Sequence, residues 1–254
     1  MIVLSSQRWR NNGHLIAAVA HMHILPRFPE PRVMDVTYGR GIWWKVWRPD
    51  GLITHDLRQD GVDFRHLPEP DRSLDVVAYD PPYVSAGGRQ TTTIGDMHDR
   101  FGLTDAPRTP AEMQVLINEG LDEVHRVLRP GGLALVKCCN YVSSGELWIG
   151  THYTLEHALQ DVLVETGPGQ SELKPLWKVL DIFNMVGSAR AQPRDRKCRR
   201  CIDGTVSHWV PILDGEQGYY RDAPCERCGG TGRIVPRQQH ARQNASTLYV
   251  LVAR

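Results

Sequence analysis

Four consecutive residues, Asp80 to Tyr83, combine a carboxylate, two prolines and an aromatic ring. They follow an apolar run, Leu74 to Tyr79, that predicts a buried parallel strand. Because proline donates no backbone hydrogen bond, two prolines in succession end the strand in a stiff turn. Ligands of open α/β sheets bind at that edge. A turn rich in acceptors beside a ring suits a flat substrate with an amino group, such as a nucleobase. The alternative is that the prolines only terminate the strand.

A second motif lies upstream, where Asp35 follows another short apolar run and is followed by Gly39 and Gly41. Glycines let a ligand approach the backbone closely, and a helix that follows them offers free N–H groups. Asp56 ends the next short apolar run, where it could accept hydrogen bonds from ribose hydroxyls. The third glycine of the dinucleotide fingerprint is missing, which argues against NAD or FAD. A turn with only a structural role is the alternative.

Two Cys-x-x-Cys pairs lie near the carboxyl terminus, Cys198 with Cys201 and Cys225 with Cys228. Four thiolates complete a tetrahedral Zn²⁺ site and leave no open position for a substrate. The spacing therefore predicts a structural zinc site and not a catalytic one.

Basic residues concentrate around the first cysteine pair. Arg196, Lys197, Arg199 and Arg200 give a local density of positive charge that suits contact with nucleic-acid phosphates. A solvated charged face with no ligand is the alternative interpretation.

Strands and helices alternate along most of the chain, which predicts a parallel sheet with right-handed crossovers. A capping-box pattern, Thr109 to Glu112, begins the clearest helix, and apolar residues then recur at helical spacing as far as Leu128. The other predicted helices are His14 to Leu25, one beginning at Ile42, and Tyr153 to Val164. The other predicted strands are Val33 to Val36, Leu52 to Asp56, Leu133 to Lys137, Leu176 to Val186 and Thr247 to Val252.

The length and charge limit the class of protein. A chain of 254 residues accommodates one α/β domain and a small accessory module. We assign 1–190 and 245–254 to the domain and 191–244 to the zinc-binding module. The net charge of +1 gives no global nucleic-acid signal, so any such surface must be local. No apolar run could span a bilayer and no signal peptide is recognised, so a cytoplasmic protein without a membrane partner is expected.

The order of the motifs resembles that of the S-adenosylmethionine-dependent amino-methyltransferases that modify adenine N6 or cytosine N4 in DNA. The resemblance runs from about His14 to Val136 and resumes over Thr247 to Val252. It implies a Rossmann-like class I methyltransferase fold with a mostly parallel sheet. The strands on either side of the cysteine pairs resemble the family's terminal hairpin, so the zinc module is expected to be an insertion within that hairpin.

The resemblance also implies roles for single residues. S-adenosylmethionine would be the cofactor, with Zn²⁺ as a structural ion. Cofactor-binding positions would be Asp35, Thr37, Gly39, Gly41, Asp56 and Asp63. Thr37 stands where the family usually has phenylalanine. Asp63 lies near the position at which the family usually has an acid that contacts the cofactor's adenine. The alternatives are that Asp60 has this role or that Asp63 is a plain surface acid. Catalytic positions would be Asp80, Pro81, Pro82 and Tyr83.

The first residue of the Asp-Pro-Pro-Tyr motif favours adenine, because cytosine enzymes of the family more often carry serine there and glutamine-modifying relatives carry asparagine. DNA adenine-N6 methylation, with or without a partner nuclease, is therefore the leading hypothesis. A cytosine-N4 enzyme or an RNA methyltransferase is the first alternative. A non-catalytic, zinc-containing nucleic-acid-binding protein on a degenerate methyltransferase fold is the alternative from another class. A homodimer or a partner protein is also possible.

Overall fold

The computed structural model describes residues 8–9, 11–83, 85, 102, 107–143, 146–167, 170–186, 196–198, 200–203, 205–212, 217–231, 233–234 and 242–254. The chain divides into two compact units. The first unit comprises Met1–Ser188 and His240–Arg254, and the second comprises Ala189–Gln239. Among the described residues, no helix is long and apolar enough to cross a membrane.

The first unit contains helices and strands. Its helices are α1 (Asn12–Val19), which continues as a π-helical turn (Ala20–Ile24), α2 (Pro110–Val127) and α3 (Gly150–Leu159). Its strands are β1 (Arg8–Trp9), β2 (Val33–Asp35), β3 (Ile53–Thr54), β4 (Leu74–Tyr79), β5 (Leu128–Ser143), β6 (Glu146–Trp148), β7 (Asp161–Gly167), β8 (Gln170–Pro175), β9 (Trp177–Val186) and β14 (Arg242–Ala253).

The central sheet has the strand order β3-β2-β4-β5-β14-β9-β1, with β6 paired to β5. The pairs β2 with β3, β2 with β4, β4 with β5 and β1 with β9 are parallel. β14 runs antiparallel to both of its neighbours, β5 and β9. A mixed α/β sheet with a methyltransferase-like strand order is therefore present, and the predicted fold class is confirmed.

Two apolar layers cover the sheet. One contains Leu121 and Val124 of α2 and the fully buried Tyr79 of β4. The other contains Leu15 and Ile16 of α1. The central strands are buried on both faces, which explains why Leu74 to Tyr79 reads as a nearly continuous apolar run in the sequence.

Helix α2 begins as its sequence predicts. The Thr109 side chain accepts a hydrogen bond from the backbone N–H of Glu112, and the Glu112 carboxylate accepts one from the backbone N–H of Thr109. Pro110 occupies the first turn, where its missing N–H removes no helical bond. The helix then packs its apolar face against β4 and β5.

Two predicted helices differ from the structure. The helix expected from Ile42 is only a 3₁₀ turn, Ile42–Trp44. Trp43 and Trp44 are both buried. Pro49 disfavours helical backbone at the residue before it, Arg48, so a helix could not continue past this point. The helix expected over Tyr153 to Val164 begins earlier and ends at Leu159. The residues after it, Asp161–Gly167, instead pair with Gln170–Pro175 in an antiparallel hairpin that suits their β-branched side chains.

The second unit contains two antiparallel pairs of strands. β10 (Arg196–Lys197) pairs with β13 (Arg233–Ile234), and β11 (Thr205–Ile212) pairs with β12 (Gln217–Pro224). Among the residues of this unit whose side chains are described, the buried ones are Cys198 and Cys225.

Candidate active site and metal centre

Asp80 lies at the carboxyl end of β4, beside the middle of the longer neighbouring strand β5. Tyr79 pairs in register with Val136 of β5, so the next residues, Asp80 and Lys137, are adjacent. The Lys137 Nζ lies 3.0 Å from the Asp80 Oδ2. The side chain of Lys137 is 13% exposed and that of Asp80 is 26% exposed. A partly buried ion pair thus stands at the sheet edge where α/β proteins bind ligands.

The two carboxylate oxygens of Asp80 differ in their partners. Oδ2 accepts hydrogen bonds from the Lys137 ammonium and from the Trp43 indole N–H, whose Nε1 lies 3.2 Å away. Oδ1 accepts no hydrogen bond from any residue in the described part of the chain. Oδ2 therefore anchors the side chain, and Oδ1 is left as an acceptor for a ligand.

Aromatic rings flank the same ion pair. The Lys137 Nζ lies 5.9 Å from the ring centre of Trp43 and 6.0 Å from that of Tyr83. Pro81 and Pro82 are buried, and Tyr83 is half-buried against the core. The Asp-Pro-Pro-Tyr segment is thus held between the core and the polar cluster, as a stiff turn requires.

Thr37 joins this segment to the glycine turn. Its Oγ1 accepts a hydrogen bond of 2.8 Å from the backbone N–H of Asp80, although the residues are 43 positions apart. The backbone N–H of Thr37 in turn donates to the Asp35 Oδ1 at 2.9 Å. A phenylalanine at position 37 could not accept the bond from Asp80, so threonine has a local structural role here.

Asp35 is buried, with 4% of its surface exposed, and both of its oxygens have partners. Oδ2 accepts a hydrogen bond of 2.6 Å from the Trp44 indole N–H, and Oδ1 accepts the bond from Thr37. Burial raises the pKa of Asp35 to about 7, against the lowering effect of the bonds from Trp44 and Thr37, and the charge of Asp80 adds to the rise. Asp35 therefore changes its protonation state near neutral pH.

The glycine turn itself has the geometry that its sequence predicts. Gly39 and Gly41 have φ angles of +54° and +62°, a region that other residues rarely adopt. A methyl group added at Gly39 would meet only the Thr37 carbonyl oxygen, 3.8 Å away. The backbone of Gly39 is therefore open to the close approach of a ligand.

Asp56 lies against the glycine turn. Its Oδ2 accepts a hydrogen bond of 3.0 Å from the Gly39 N–H, and its Oδ1 accepts bonds from the backbone N–H groups of Arg58 and Gln59. The Gln59 side chain donates to the Gly39 carbonyl at 2.5 Å. These bonds bring Asp56 to the turn on which S-adenosylmethionine was predicted to bind, and an open backbone beside a carboxylate fits a ligand that carries a ribose.

Asp63 is engaged differently. Its carboxylate forms an ion pair with Arg65, whose Nη2 lies 2.6 Å from the Asp63 Oδ2. Burial of Asp63 would raise its pKa, but hydrogen bonds and charge from Arg65 lower it below its ordinary value. The predicted contact between Asp63 and the cofactor's adenine stays a prediction. In such a contact the Asp63 carboxylate would have to bind the adenine and the Arg65 guanidinium at the same time.

Sequence reasoning did not assign three residues that complete this site: Trp43, Trp44 and Lys137. The consecutive indoles each donate to a different acid, Trp43 to Asp80 and Trp44 to Asp35. A signal existed, since a buried tryptophan needs an acceptor for its N–H and these two follow a strand-end acid closely. The position of Lys137 follows only from the strand register.

The four cysteines of the second unit form one cluster. Their Sγ atoms all lie within 4.8 Å of one another. The Cys198 and Cys225 sulfurs are 3.9 Å apart, and the Cys201 and Cys228 sulfurs are 3.6 Å apart. A tetrahedral Zn²⁺ with Zn–S bonds of about 2.3 Å separates its sulfur ligands by about 3.8 Å, so the cluster fits zinc. These distances are too long for disulfide bonds.

A tight turn supports the second cysteine pair. The Cys225 carbonyl accepts hydrogen bonds from the N–H groups of Cys228 and Gly230, at 3.2 and 3.1 Å. Gly229 and Gly230 have φ angles of +61° and +79°. This turn aims the Cys225 and Cys228 sulfurs to the same side, as a four-thiolate site requires.

The predicted nucleic-acid residues are only partly described. Arg200 is exposed next to Cys201. The backbone of Arg196 and Lys197 forms β10, while their side chains and the whole of Arg199 lie outside the described residues. Their predicted contact with phosphates stays a prediction.

Comparisons with known proteins give distant structural similarity. No family model matches the chain. No curated protein sequence matches it. Among solved structures, a SAM-dependent O-methyltransferase from Thermotoga maritima is 10% identical, with a TM-score of 0.36 over 100% of this chain and 68% of that chain.

Two further structures are similar to the same degree. The amino pentose methyltransferase CalS10 from Micromonospora echinaspora is 14% identical, with a TM-score of 0.34 over 96% of this chain and 92% of that chain. The cyclase SpnF is 15% identical, with a TM-score of 0.33 over 63% of this chain and 66% of that chain. The fold of the present chain therefore rests on its own strand order and register.

Proposed function

We propose that this protein is an S-adenosylmethionine-dependent methyltransferase that acts on the exocyclic amine of a nucleobase, with adenine N6 in DNA as the target. The observation that carries the proposal is the hydrogen bond between Thr37 and the Asp80 N–H, 2.8 Å long. It connects a glycine turn that is open to a ligand with a turn that offers acceptors to an amine. A methyl donor and a methyl acceptor could therefore meet at one sheet edge.

The cofactor would lie along the glycine turn. The open backbone at Gly39 and the carboxylate of Asp56 are suited to it, with Asp35, Thr37 and Gly41 shaping the turn. When bound, S-adenosylmethionine supplies an electrophilic methyl group on a sulfonium. Asp35 would act by holding the turn, because both of its oxygens are used by Thr37 and Trp44.

The target amine would lie at Asp80. An aromatic amine is a weak nucleophile because its lone pair is delocalised into the ring. The Asp80 Oδ1 and the Pro81 carbonyl could each accept one of its N–H groups and favour the pyramidal, reactive form. Both bonds strengthen as positive charge develops on nitrogen, so they act mainly on the transition state.

The base would reach this site by leaving its stack. Extrusion of a base from a duplex costs a few kcal/mol, and stacking on an aromatic ring returns roughly 1–3 kcal/mol per base. Tyr83, beside the ion pair of Asp80 and Lys137, is the ring best placed for this role. The half-buried position of Tyr83 would keep its ring orientation constant between substrates.

The second unit would bind the nucleic-acid substrate. With Zn²⁺ held by four thiolates, the unit would present Arg200 and the neighbouring Arg196, Lys197 and Arg199 to nucleic-acid phosphates. Since no ligand position would remain open on the metal, its role would be structural.

The decisive experiment identifies the methylated nucleoside. The protein is incubated with radiolabelled S-adenosylmethionine and either DNA or RNA, the polymer is digested, and the nucleosides are separated. N6-methyladenine from DNA is the expected product. N4-methylcytosine alone would refute the choice of base, and product only from RNA would refute the choice of polymer. Absence of both transfer and cofactor binding would favour the non-catalytic alternative.

A substitution at the proposed acceptor sharpens the test. Asp80→Ala should lower kcat by roughly 10²–10³-fold, the loss typical of removing one transition-state hydrogen bond. Cofactor binding, measured by calorimetry, should change little, because Asp80 is assigned to the amine. Asp50→Ala is the matched control, since Asp50 is an exposed acid in a turn. Full transfer by the Asp80 variant would contradict the assignment.

A further inference from the structure

The ion pair of Asp80 and Lys137 offers two kinds of hydrogen bond side by side. Asp80 presents Oδ1 as an acceptor, and Lys137 is a donor whose Nζ lies 3.0 Å from Oδ2 of the same carboxylate. One ammonium hydrogen is used by Oδ2, and Nζ makes no other hydrogen bond within the described residues. The site therefore pairs one acceptor with one donor.

The position of this pair is set by the backbone. Asp80 and Lys137 follow residues that are matched in the parallel register of β4 and β5. The Trp43 indole holds Oδ2 from another direction at 3.2 Å. The Lys137 side chain is only 13% exposed, so its ammonium stays near the carboxylate and does not extend into bulk solvent.

Nucleobases differ in the groups next to their exocyclic amine. Adenine and cytosine carry the amine beside a ring nitrogen that accepts a hydrogen bond. Guanine carries its amine between a ring N–H, which is a donor on the Watson–Crick edge, and N3, an acceptor that lies off that edge, and thymine and uracil carry no amine. An acceptor and a donor at neighbouring positions match the Watson–Crick edge of adenine or cytosine, whereas the Watson–Crick edge of guanine would bring two donors together at Lys137.

We propose that Lys137 is a substrate-specificity residue that donates a hydrogen bond to the ring nitrogen beside the target amine while Asp80 accepts from that amine. This inference rests on the proposed methyltransferase function and deepens it, because it names the edge of the base that is read. Flipped bases are commonly read through hydrogen bonds to this edge and by stacking. The rings of Trp43 and Tyr83, each within 6.0 Å of Nζ, border the same space.

The test is a cycle between the enzyme and the base. Random-sequence DNA duplexes carry adenine, 1-deazaadenine, which lacks the ring acceptor, or 3-deazaadenine, which keeps it. Methyl transfer is measured as kcat/KM for the wild type and for Lys137→Met, with Lys178→Met as the control at an exposed lysine. The cycle isolates the contact between Lys137 and the ring nitrogen from other effects of either change.

The wild type and the control should prefer adenine to 1-deazaadenine by tenfold or more and should methylate 3-deazaadenine nearly as well as adenine. Lys137→Met should lose most of the preference, to less than threefold. An unchanged preference in Lys137→Met would overturn the inference and leave Lys137 only orienting Asp80. If that variant does not fold, the wild-type contrast between the two deaza bases decides. No transfer to any base by the wild type would instead refute the proposed function, and the inference with it.

Discussion

The sheet-edge site and the cysteine cluster are assembled in opposite ways. The site around Asp80 joins residues that are distant in sequence, since Thr37 is 43 positions away and Lys137 is 57 positions away. The cysteine cluster joins two pairs in which the cysteines are three positions apart, and the second pair lies within a short turn. The first arrangement depends on strand order, and the second depends on local turns and on the metal that the sulfurs fit.

The two units also differ in what could stabilise them. The first unit buries a large set of apolar side chains on both faces of its sheet. Among the described side chains of the second unit, the buried ones are two cysteines, Cys198 and Cys225. Small cysteine-rich units commonly depend on a metal for folding. We therefore expect hydrophobic burial to stabilise the first unit and metal binding to stabilise the second.

Removal of zinc should have the largest effect on folding. If the second unit stayed folded without zinc, the proposed difference between the two units would be wrong. Structural Zn²⁺ contributes about 10 kcal/mol or more to small cysteine-rich folds. Cys225→Ser or chelation should therefore unfold the second unit and leave the first unit folded. Limited proteolysis measures the unfolding of the second unit, and metal analysis measures the zinc bound to the protein. Cys138→Ala, in the first unit, is the control, and this variant should retain the zinc of the second unit. A protease-resistant second unit without metal would contradict the prediction.

The protonation of Asp35 should make stability depend on pH in the first unit. The folded protein holds this proton up to about pH 7, whereas the unfolded chain releases it near its ordinary pKa of 3.8. The folded state thus binds more protons between these values, so the free energy of unfolding falls as pH rises through that range. The total fall from Asp35 is at most about 4 kcal/mol.

Urea unfolding between about pH 5 and about pH 8 measures this dependence. Asp35→Asn should be less sensitive to pH over the range than the wild type, while Asp50→Asn, at an exposed turn, should follow the wild type. Equal pH dependence in the Asp35→Asn variant and the wild type would show that the carboxyl is ionised throughout.

The connection between the two turns of the sheet-edge site can be cut at one hydroxyl. Thr37→Val removes the acceptor of the Asp80 N–H. The free energy that holds Asp80 in its position should become less favourable by about 1 kcal/mol. Methyl transfer should fall by about fivefold, since each 1.4 kcal/mol is a factor of ten. Thr37→Ser keeps the hydroxyl and is the matched control. Equal activity of the valine and serine variants would show that the hydrogen bond between Thr37 and Asp80 does not contribute to methyl transfer.

The smallest effect concerns a helix end in the first unit. Thr109→Ala removes the acceptor for the Glu112 N–H and should lower the free energy of unfolding by about 1 kcal/mol. Thr109→Ser should retain the cap and nearly all of the stability. Urea midpoints measure the difference, and retained zinc would show that the change is confined to the first unit. A loss of zinc in the alanine variant would mean that the two units unfold together.

Several features could be predicted because they depend on neighbouring residues alone. The capping box at Thr109, the strand before Asp80 and the two cysteine pairs are each specified within a few positions. The helix expected at Ile42 was wrong. The Trp43 indole bonds to Asp80, 37 positions away, which no local pattern contains, whereas the bond from Trp44 to Asp35 spans only nine positions. The extent of helix α3 was missed for a similar reason, since pairing with Gln170–Pro175 decides where strand β7 begins.

By itself, the sequence determined the class of fold, the glycine turn, the Asp-Pro-Pro-Tyr turn and the four cysteines that cluster, because backbone restrictions and ligand spacing act over short distances. The tertiary structure decided which of these meet. The parallel register of β4 and β5 brought Lys137 to Asp80, and the order of β2 beside β4 brought Thr37 to the Asp80 N–H. Long-range pairing of strands has no local signature, and it determines the donor and acceptor pattern at the proposed target site.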